Sequence, residues 1–352
     1  MRIGVLTSGG DAPGMNAAIR TVAVTGIAHG HELVGIRQGY RGLLDGNTVP
    51  LSLPMLDGIS RYGGTMLGSA RCPEFCTPAG LQRGLESIAS EGLQGLVVIG
   101  GNGSLTGAHK LAQQSECQLV GIPASIDNDV GHCGLAIGTD TAVNTIVEAC
   151  DRISDTARAH RRAFLVDVMV RESGFLAMRA GIAAEADAIL YGEKHQSEDE
   201  IVAHLTAVLD RVFERDTERT RALIVKAEGV EASTTSLVRR LQEHLDKVHH
   251  DVEIRATVLG HVVRGGGPTA LDRVIAQRLG YAAIVGLEEG RTDVMASWDV
   301  PLDFGEATLD PYVRYVGLAD MIDETRALLD GSSPVVKVRM SLLGQVESLL
   351  AL

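Results

Sequence analysis

The chain is poor in several features, and each shortage removes a class of protein. Among its 352 residues no uninterrupted apolar stretch approaches the roughly 18–20 residues needed to span a bilayer, so a helical membrane protein is excluded. The amino terminus, MRIGVLTSGG, runs straight into a strand pattern without a basic region, an apolar core and a small-residue cleavage site, so secretion is not expected. Cysteines are few and odd in number (Cys72, Cys76, Cys117, Cys133 and Cys150) and lack CxxC spacing, which points away from a disulfide framework or a zinc site and toward a reducing cytoplasm. Positive charge is outweighed, 32 Lys and Arg against 45 Asp and Glu, a net −13. Bulk attraction to nucleic acid or anionic lipid is therefore not expected, and any anionic ligand must be held by local arginines. Neither GxxxxGK[ST] nor GxGxxG occurs, so the two common nucleotide fingerprints are missing, and with them the case for a nicotinamide dehydrogenase.

What is present is a long alternation of strand-like apolar runs with helical periods. RIGVLTS precedes MNAAIRTVAVTGIAHG, LQGLVVIGG precedes SLTGAHKLAQQ, and CQLVGIP precedes TDTAVNTIVEACDRISDTAR. RAFLVDVMV, ADAILYGE, RALIVKAEG, EIRATVLG and TDVMAS continue the series with helical segments between them. Apolar runs of this kind suit strands buried on both faces, so the expected class is a doubly wound α/β protein with more than one parallel sheet. The length allows one large or two medium domains.

Glycine is the excess: 41 residues, about 12% against a usual ~7%. It clusters after strands. In VLTSGGDAPGMN, Gly9, Gly10 and Gly14 let backbone amides approach a ligand, and the helix expected near Met15 aims its positive end at the same place. VVIGGNGSL repeats the device, with neutral Asn102 where metal-assisted phosphate chemistry favours a carboxylate. Either turn alone could be a mere tight connection; two of them favour phosphate. In GIPASIDNDV, Asp127 and Asp129 could supply a general base and a metal ligand, or merely an Asx turn and a helix start. Arg158, Arg161, Arg162 and Arg171 surround one apolar strand, and Arg255, His261 and Arg264 another. Arginine forks suit phosphate oxygens, although a solvated helix end would also gather such residues.

The order of these segments resembles the bacterial ATP-dependent 6-phosphofructokinase family. TSGGDAPGMN (7–16), GGTMLGSAR (63–71), IGGNGS (99–104), SIDND (125–129), MVRESG (169–174) and RATVLGHVVRGG (255–266) match that family's motifs nearly colinearly over residues 1 to about 290. The resemblance implies two similar doubly wound domains facing across a cleft: a nucleotide-binding domain of residues 1–138 plus 252–320 and a sugar-phosphate domain of residues 139–251. Residues 321–352 remain as a carboxyl-terminal extension without a readable role. It further implies a cytoplasmic homotetramer in which neighbouring subunits complete each sugar site, with Mg2+ accompanying ATP.

By that resemblance Gly10, Arg71, Cys72, Gly101, Asn102, Gly103 and Ser104 hold ATP, Asp127 accepts the proton of the sugar 1-hydroxyl, and Asn102 and Asp129 support magnesium. Ser125, Ile126, Met169, Val170, Arg171, Glu228, His261 and Arg264 match sugar-contacting positions, while Arg162 and Arg255 match those reaching the 6-phosphate from the adjacent subunit. Arg171 is also the candidate for stabilising charge during transfer. Gly103 and Ala124 stand where pyrophosphate-using members carry aspartate and lysine, so ATP is the expected donor to fructose 6-phosphate. Three positions depart from the family. Asn102 replaces its magnesium-associated aspartate and predicts weaker or differently placed metal. Val170 replaces the glycine of MGR and puts a branched side chain toward the acceptor. Val24 and Ser154 stand where the family's effector site is basic, so the usual ADP and phosphoenolpyruvate regulation is not expected. Two other readings follow from these departures: a kinase of another sugar phosphate, or a weakly active regulatory relative that binds sugar phosphate.

Overall fold

The computed structural model describes residues 1–170, 172–214 and 220–350. In chain order the first elements are β1 (Arg2–Ser8), α1 (Met15–Ala28), β2 (Glu32–Ile36), α2 (Gly39–Asp45), β3 (Thr48–Pro50), α3 (Pro78–Ser90), β4 (Gly95–Gly100), α4 (Asn102–Ala112), β5 (Gln118–Pro123) and α5 (Thr139–His160). Next come β6 (Arg162–Val168), α6 (Phe175–Ala183), β7 (Ala188–Leu190), α7 (Glu198–Glu214), β8 (Arg221–Ala227), α8 (Thr234–Val248) and β9 (Glu253–Val258). The chain ends with α9 (Ala270–Glu288), β10 (Val294–Trp298), β11 (Glu306–Ala307), β12 (Val313–Gly317), α10 (Leu318–Leu329) and α11 (Pro334–Leu350).

Two compact units result. One comprises Met1–Thr141 and Arg264–Asp330; the other comprises Ala142–Val263 and the chain from Gly331 onward. The crossings thus fall C-terminal to the sequence-based boundaries at 138 and 252. Residues 321–352 are divided: they finish α10 in the first unit and form α11 in the second, where α11 packs on α6 and β7 with Val336 and Leu343 buried.

The first unit is built on an eight-stranded sheet in the order β11-β12-β10-β5-β4-β1-β2-β3. Its middle, from β10 to β2, is parallel. Every residue of β4, GLVVIG, is buried, as a strand paired on both sides requires. Both edges depart from the all-parallel expectation: β3 is antiparallel to β2, and β12 is antiparallel to β10 and β11. A parallel neighbour needs a long crossover, usually a helix: residues 308–312 alone join β11 to β12, and only the short α2 lies between β2 and β3. β1 has β2 on one side and β4 on the other, so the winding direction reverses between β1 and β4.

The second unit holds four parallel strands in the order β7-β8-β6-β9. α8 shows how the pattern is read: Ser233 caps it by accepting from the Ser236 amide at 3.1 Å, and Leu237, Leu241 and Leu245, each four residues on, are all buried. Burying each leucine contributes about 1.5–3 kcal/mol.

Candidate active site

Where strand order reverses, the loops after adjacent strands diverge and leave a crevice at the carboxyl ends. Here those loops are the glycine turns after β1 and β4. Gly9 and Gly14 have φ of 87° and 109°, conformations that glycine tolerates and side chains resist. α1 starts at Met15 and α4 at Asn102, with Gly101 at its cap and no capping side chain, so its first amides are available to a ligand. A Cβ at Gly9 would lie 3.1 Å from Ser104 Oγ, which places the two turns side by side. A Cβ at Gly103 would meet no atom of the protein within 4 Å. Internal packing therefore does not require glycine there, and the space beside it is open to a ligand.

The loop after β5 is set by Asn128, which is buried, takes φ 50°, donates to the Gly134 carbonyl at 3.1 Å and accepts from the Ala136 amide at 2.9 Å. Asparagine is among the few side chains suited to this conformation. The Asp127 amide donates to Ser125 Oγ at 3.1 Å, so a local side-chain turn is present as well; no helix starts in the motif, since α5 begins only at Thr139. On either side of Asn128 the carboxylates meet different partners. Asp129 accepts from Ser125 Oγ at 3.2 Å and from Asn102 Nδ2 at 2.6 Å. Because a carboxylate only accepts, the Asn102 amide nitrogen faces it. A family-type aspartate at 102 would instead set two like charges together. Asp127 lies 3.8 Å from an Arg264 guanidinium nitrogen, a partly exposed pair worth about 0–1 kcal/mol. Arg264 also donates to the Asp11 carbonyl at 3.3 Å, and a Cβ at Gly10 would sit 2.9 Å from it. This arginine thus stands between the first glycine turn and Asp127. Ile126, between Ser125 and Asp127 in sequence, is completely buried.

The GGTMLGSAR loop is held by residues that sequence reasoning passed over. Asn16 donates to the Tyr62 and Gly63 carbonyls, both at 3.1 Å, and accepts from the Met66 amide at 2.7 Å. Thr7 donates to the Gly68 carbonyl at 3.0 Å and meets the Thr65 hydroxyl at 2.8 Å. A Cβ at Gly63 would fall 2.2 Å from the Gly266 carbonyl, so this loop touches the end of the RATVLGHVVRGG motif. Ser69 Oγ donates to the Gly9 carbonyl at 2.5 Å. Beyond it, Arg71 is exposed and makes no ion pair among the described residues, while Cys72 packs against the core. Tyr40, stacked on Phe75 at 3.9 Å, donates to the Ser104 carbonyl at 2.6 Å; burial pushes its phenol up. The available signal was a polar residue on a buried face, Thr7 in β1 and Asn16 in α1; Tyr40 carried none.

In the second unit Met169, Val170, Glu228 and His261 all follow carboxyl ends of strands. The Glu228 amide donates to the Val168 carbonyl at 2.8 Å, which sets Glu228 beside Met169, and the Leu259 amide donates to Asp167 at 3.0 Å. Val170 is buried with φ 103°. A β-branched residue there is a true outlier, costing about 1–3 kcal/mol. Arg171 lies outside the described residues. Arg162 and Arg255 are not brought to this end. Arg162 opens β6 opposite Glu253, roughly 20 Å from Met169 at ~3.3 Å per residue. There both arginines share Glu253, at 3.2 and 2.8 Å, and the Arg255 hydrogen bond holds its carboxyl below the usual range.

Paired glycine loops at a strand-order reversal, with two carboxylates and an arginine beside them, define a phosphate-handling α/β protein. The Phosphofructokinase family profile matches residues 2–287. The chain is 45% identical over 295 residues to the ATP-dependent 6-phosphofructokinase of Thermotoga petrophila, covering 84% of this chain and 88% of that one. It is also 45% identical over 292 residues to that of Bacillus cytotoxicus, covering 82% and 87%. Among solved structures, Pichia pastoris phosphofructokinase superposes with a TM-score of 0.87 at 29% identity, over 99% of this chain and 42% of that longer one. The chain belongs to the phosphofructokinase family.

Proposed function

We propose that this protein phosphorylates fructose 6-phosphate at its 1-hydroxyl with ATP, giving fructose 1,6-bisphosphate and ADP. The carrying observation is Asp127, held on a rigid loop beside Arg264 and next to two glycine turns whose amides suit phosphate. Phosphoryl transfer is chiefly positioning and charge stabilisation. Gly10, Arg71, Cys72 and Gly101–Ser104 hold the nucleotide, and the open space at Gly103 suits ATP. Asp127 takes the hydroxyl proton as the sugar oxygen attacks the γ-phosphoryl, while Arg264 balances charge on the phosphate side. Through the family motifs, Ser125 and Ile126 of the first unit and Met169, Glu228 and His261 of the second are assigned to the sugar, and Arg171 to charge stabilisation.

Two carboxylates and an amide suit magnesium, which prefers one or two carboxylates plus substrate phosphates. Asp129 and Asn102 would hold it, after the hydrogen bond between them yields. Held there, the ion would neutralise charge on the phosphates. Arg162 and Arg255, far along their strands from Met169, favour a sugar-phosphate site completed by a neighbouring subunit in a cytoplasmic homotetramer. Val170 favours a second reading, transfer to another phosphorylated sugar, because its side chain fills a glycine position.

The test is steady-state turnover with magnesium, using ATP or pyrophosphate as donor and fructose 6-phosphate or a panel of other sugar phosphates as acceptor. Highest kcat/KM for ATP with fructose 6-phosphate is expected. Preference for another sugar would install the second reading, and no turnover despite sugar-phosphate binding would overturn both.

A further inference from the structure

Asp272, in the first turn of α9, belongs to none of the motifs above, yet its side chain is buried completely. Such burial raises a carboxyl's pKa and would favour its neutral form, and the donors around it pull the other way. Those donors are the amides of Gly138 at 2.9 Å and Thr141 at 2.8 Å and the Thr141 hydroxyl at 2.6 Å. Three hydrogen bonds to one buried carboxylate make a rigid joint between the start of α9 and the start of α5.

Both ends of the joint lead to reacting groups. From α5, Thr139 Oγ1 donates to the Ser125 carbonyl at 2.8 Å and the Ser125 amide donates to Ile137 at 3.1 Å, which fixes the loop bearing Asp127. From α9, the Thr269 amide donates to Thr141 Oγ1 at 3.0 Å and its hydroxyl to Asp140 at 2.6 Å; Arg264 lies five residues upstream. The glycine turn after β4 is anchored elsewhere, through Tyr40 on the Ser104 carbonyl, whereas the turn after β1 packs beside the joint, where a Cβ at Gly14 would lie 3.7 Å from Asp272. We infer that Asp272 is a positioning residue, which sets the approach of Arg264 to Asp127 without touching substrate and without contributing to nucleotide binding. This rests on the kinase reading above.

Asp272→Asn turns one acceptor oxygen into a donor that faces donors. It should lower kcat, counted per ATP-binding site, by about 10–100-fold, the scale of a displacement near 1 Å, and leave the KM for ATP unchanged. Thr141→Val should lower kcat likewise, with Thr141→Ser recovering most of the loss. Amide hydrogen exchange gives a readout free of activity: peptides spanning residues 124–130 should exchange faster in Asp272→Asn, while those spanning 99–105 should not change. Wild-type turnover tests the kinase reading separately. If Asp272→Asn folds too poorly to compare, Thr139→Val tests the same joint at its far end by both measurements. Unchanged exchange over 124–130, or a kcat per binding site equal to wild type, overturns the proposal.

Discussion

Asn128, in the loop after β5, and Val170, in the loop after β6, both take positive φ, 50° and 103°, and they reach it by opposite means. Asn128 suits that backbone and locks it with two side-chain hydrogen bonds. Val170 opposes it and is held by its surroundings. The loop carrying Asp127 is thus encoded by its own residues, whereas the loop carrying Met169 keeps a glycine's conformation after the glycine is gone. Of these two loops, the one that bears the proposed base is locked by hydrogen bonds, and the one that bears the proposed acceptor contacts carries a strained valine.

The largest expected effect lies on the rigid side. Asp127→Asn removes the proposed base and should leave the fold of its loop, so kcat should fall about 10²–10⁴-fold with little change in the KM for ATP, as steady-state kinetics will report. An equal rise in KM would mean that Asp127 only shapes the nucleotide site. On the strained side, Val170→Gly exchanges a buried side chain for relief of about 1–3 kcal/mol, so urea unfolding should show a net change under about 1 kcal/mol. Val166→Gly, at an unstrained buried position of β6, should cost about 3 kcal/mol. Equal losses at the two sites would refute the strain. Small also is the effect of Asn102→Asp, which trades the 2.6 Å hydrogen bond to Asp129 for a second charge. It should lower half-saturating magnesium roughly five-fold, equivalent to ~1 kcal/mol for one charge at a partly exposed site. No shift would mean that position 102 does not reach the ion.

The motifs were legible because short glycine and aspartate patterns report local backbone needs: α1 starts at Met15 as expected, whereas α4 starts at Asn102, two residues before the helical segment SLTGAHKLAQQ. The parallel strands were legible from continuous apolar runs such as LVVIG. The antiparallel edges were not, since β3 and β11 are only three and two residues long and their partners are chosen by connection length. Nor was Asp272: one carboxylate in an otherwise helical pattern reads as a solvated first-turn acid until α5 is brought against it. Asn102 was visible as an exception, but its donation to Asp129 depends on two loops meeting, which sequence spacing does not state.

One phosphorus NMR time course most directly tests whether these loops transfer phosphate to a sugar. With magnesium, ATP and fructose 6-phosphate, the account predicts that the ATP γ-signal declines in step with growth of a second sugar phosphomonoester and of ADP, and that Asp127→Asn stops both. Release of inorganic phosphate without a new sugar ester, or an ester formed equally well by Asp127→Asn, would contradict it.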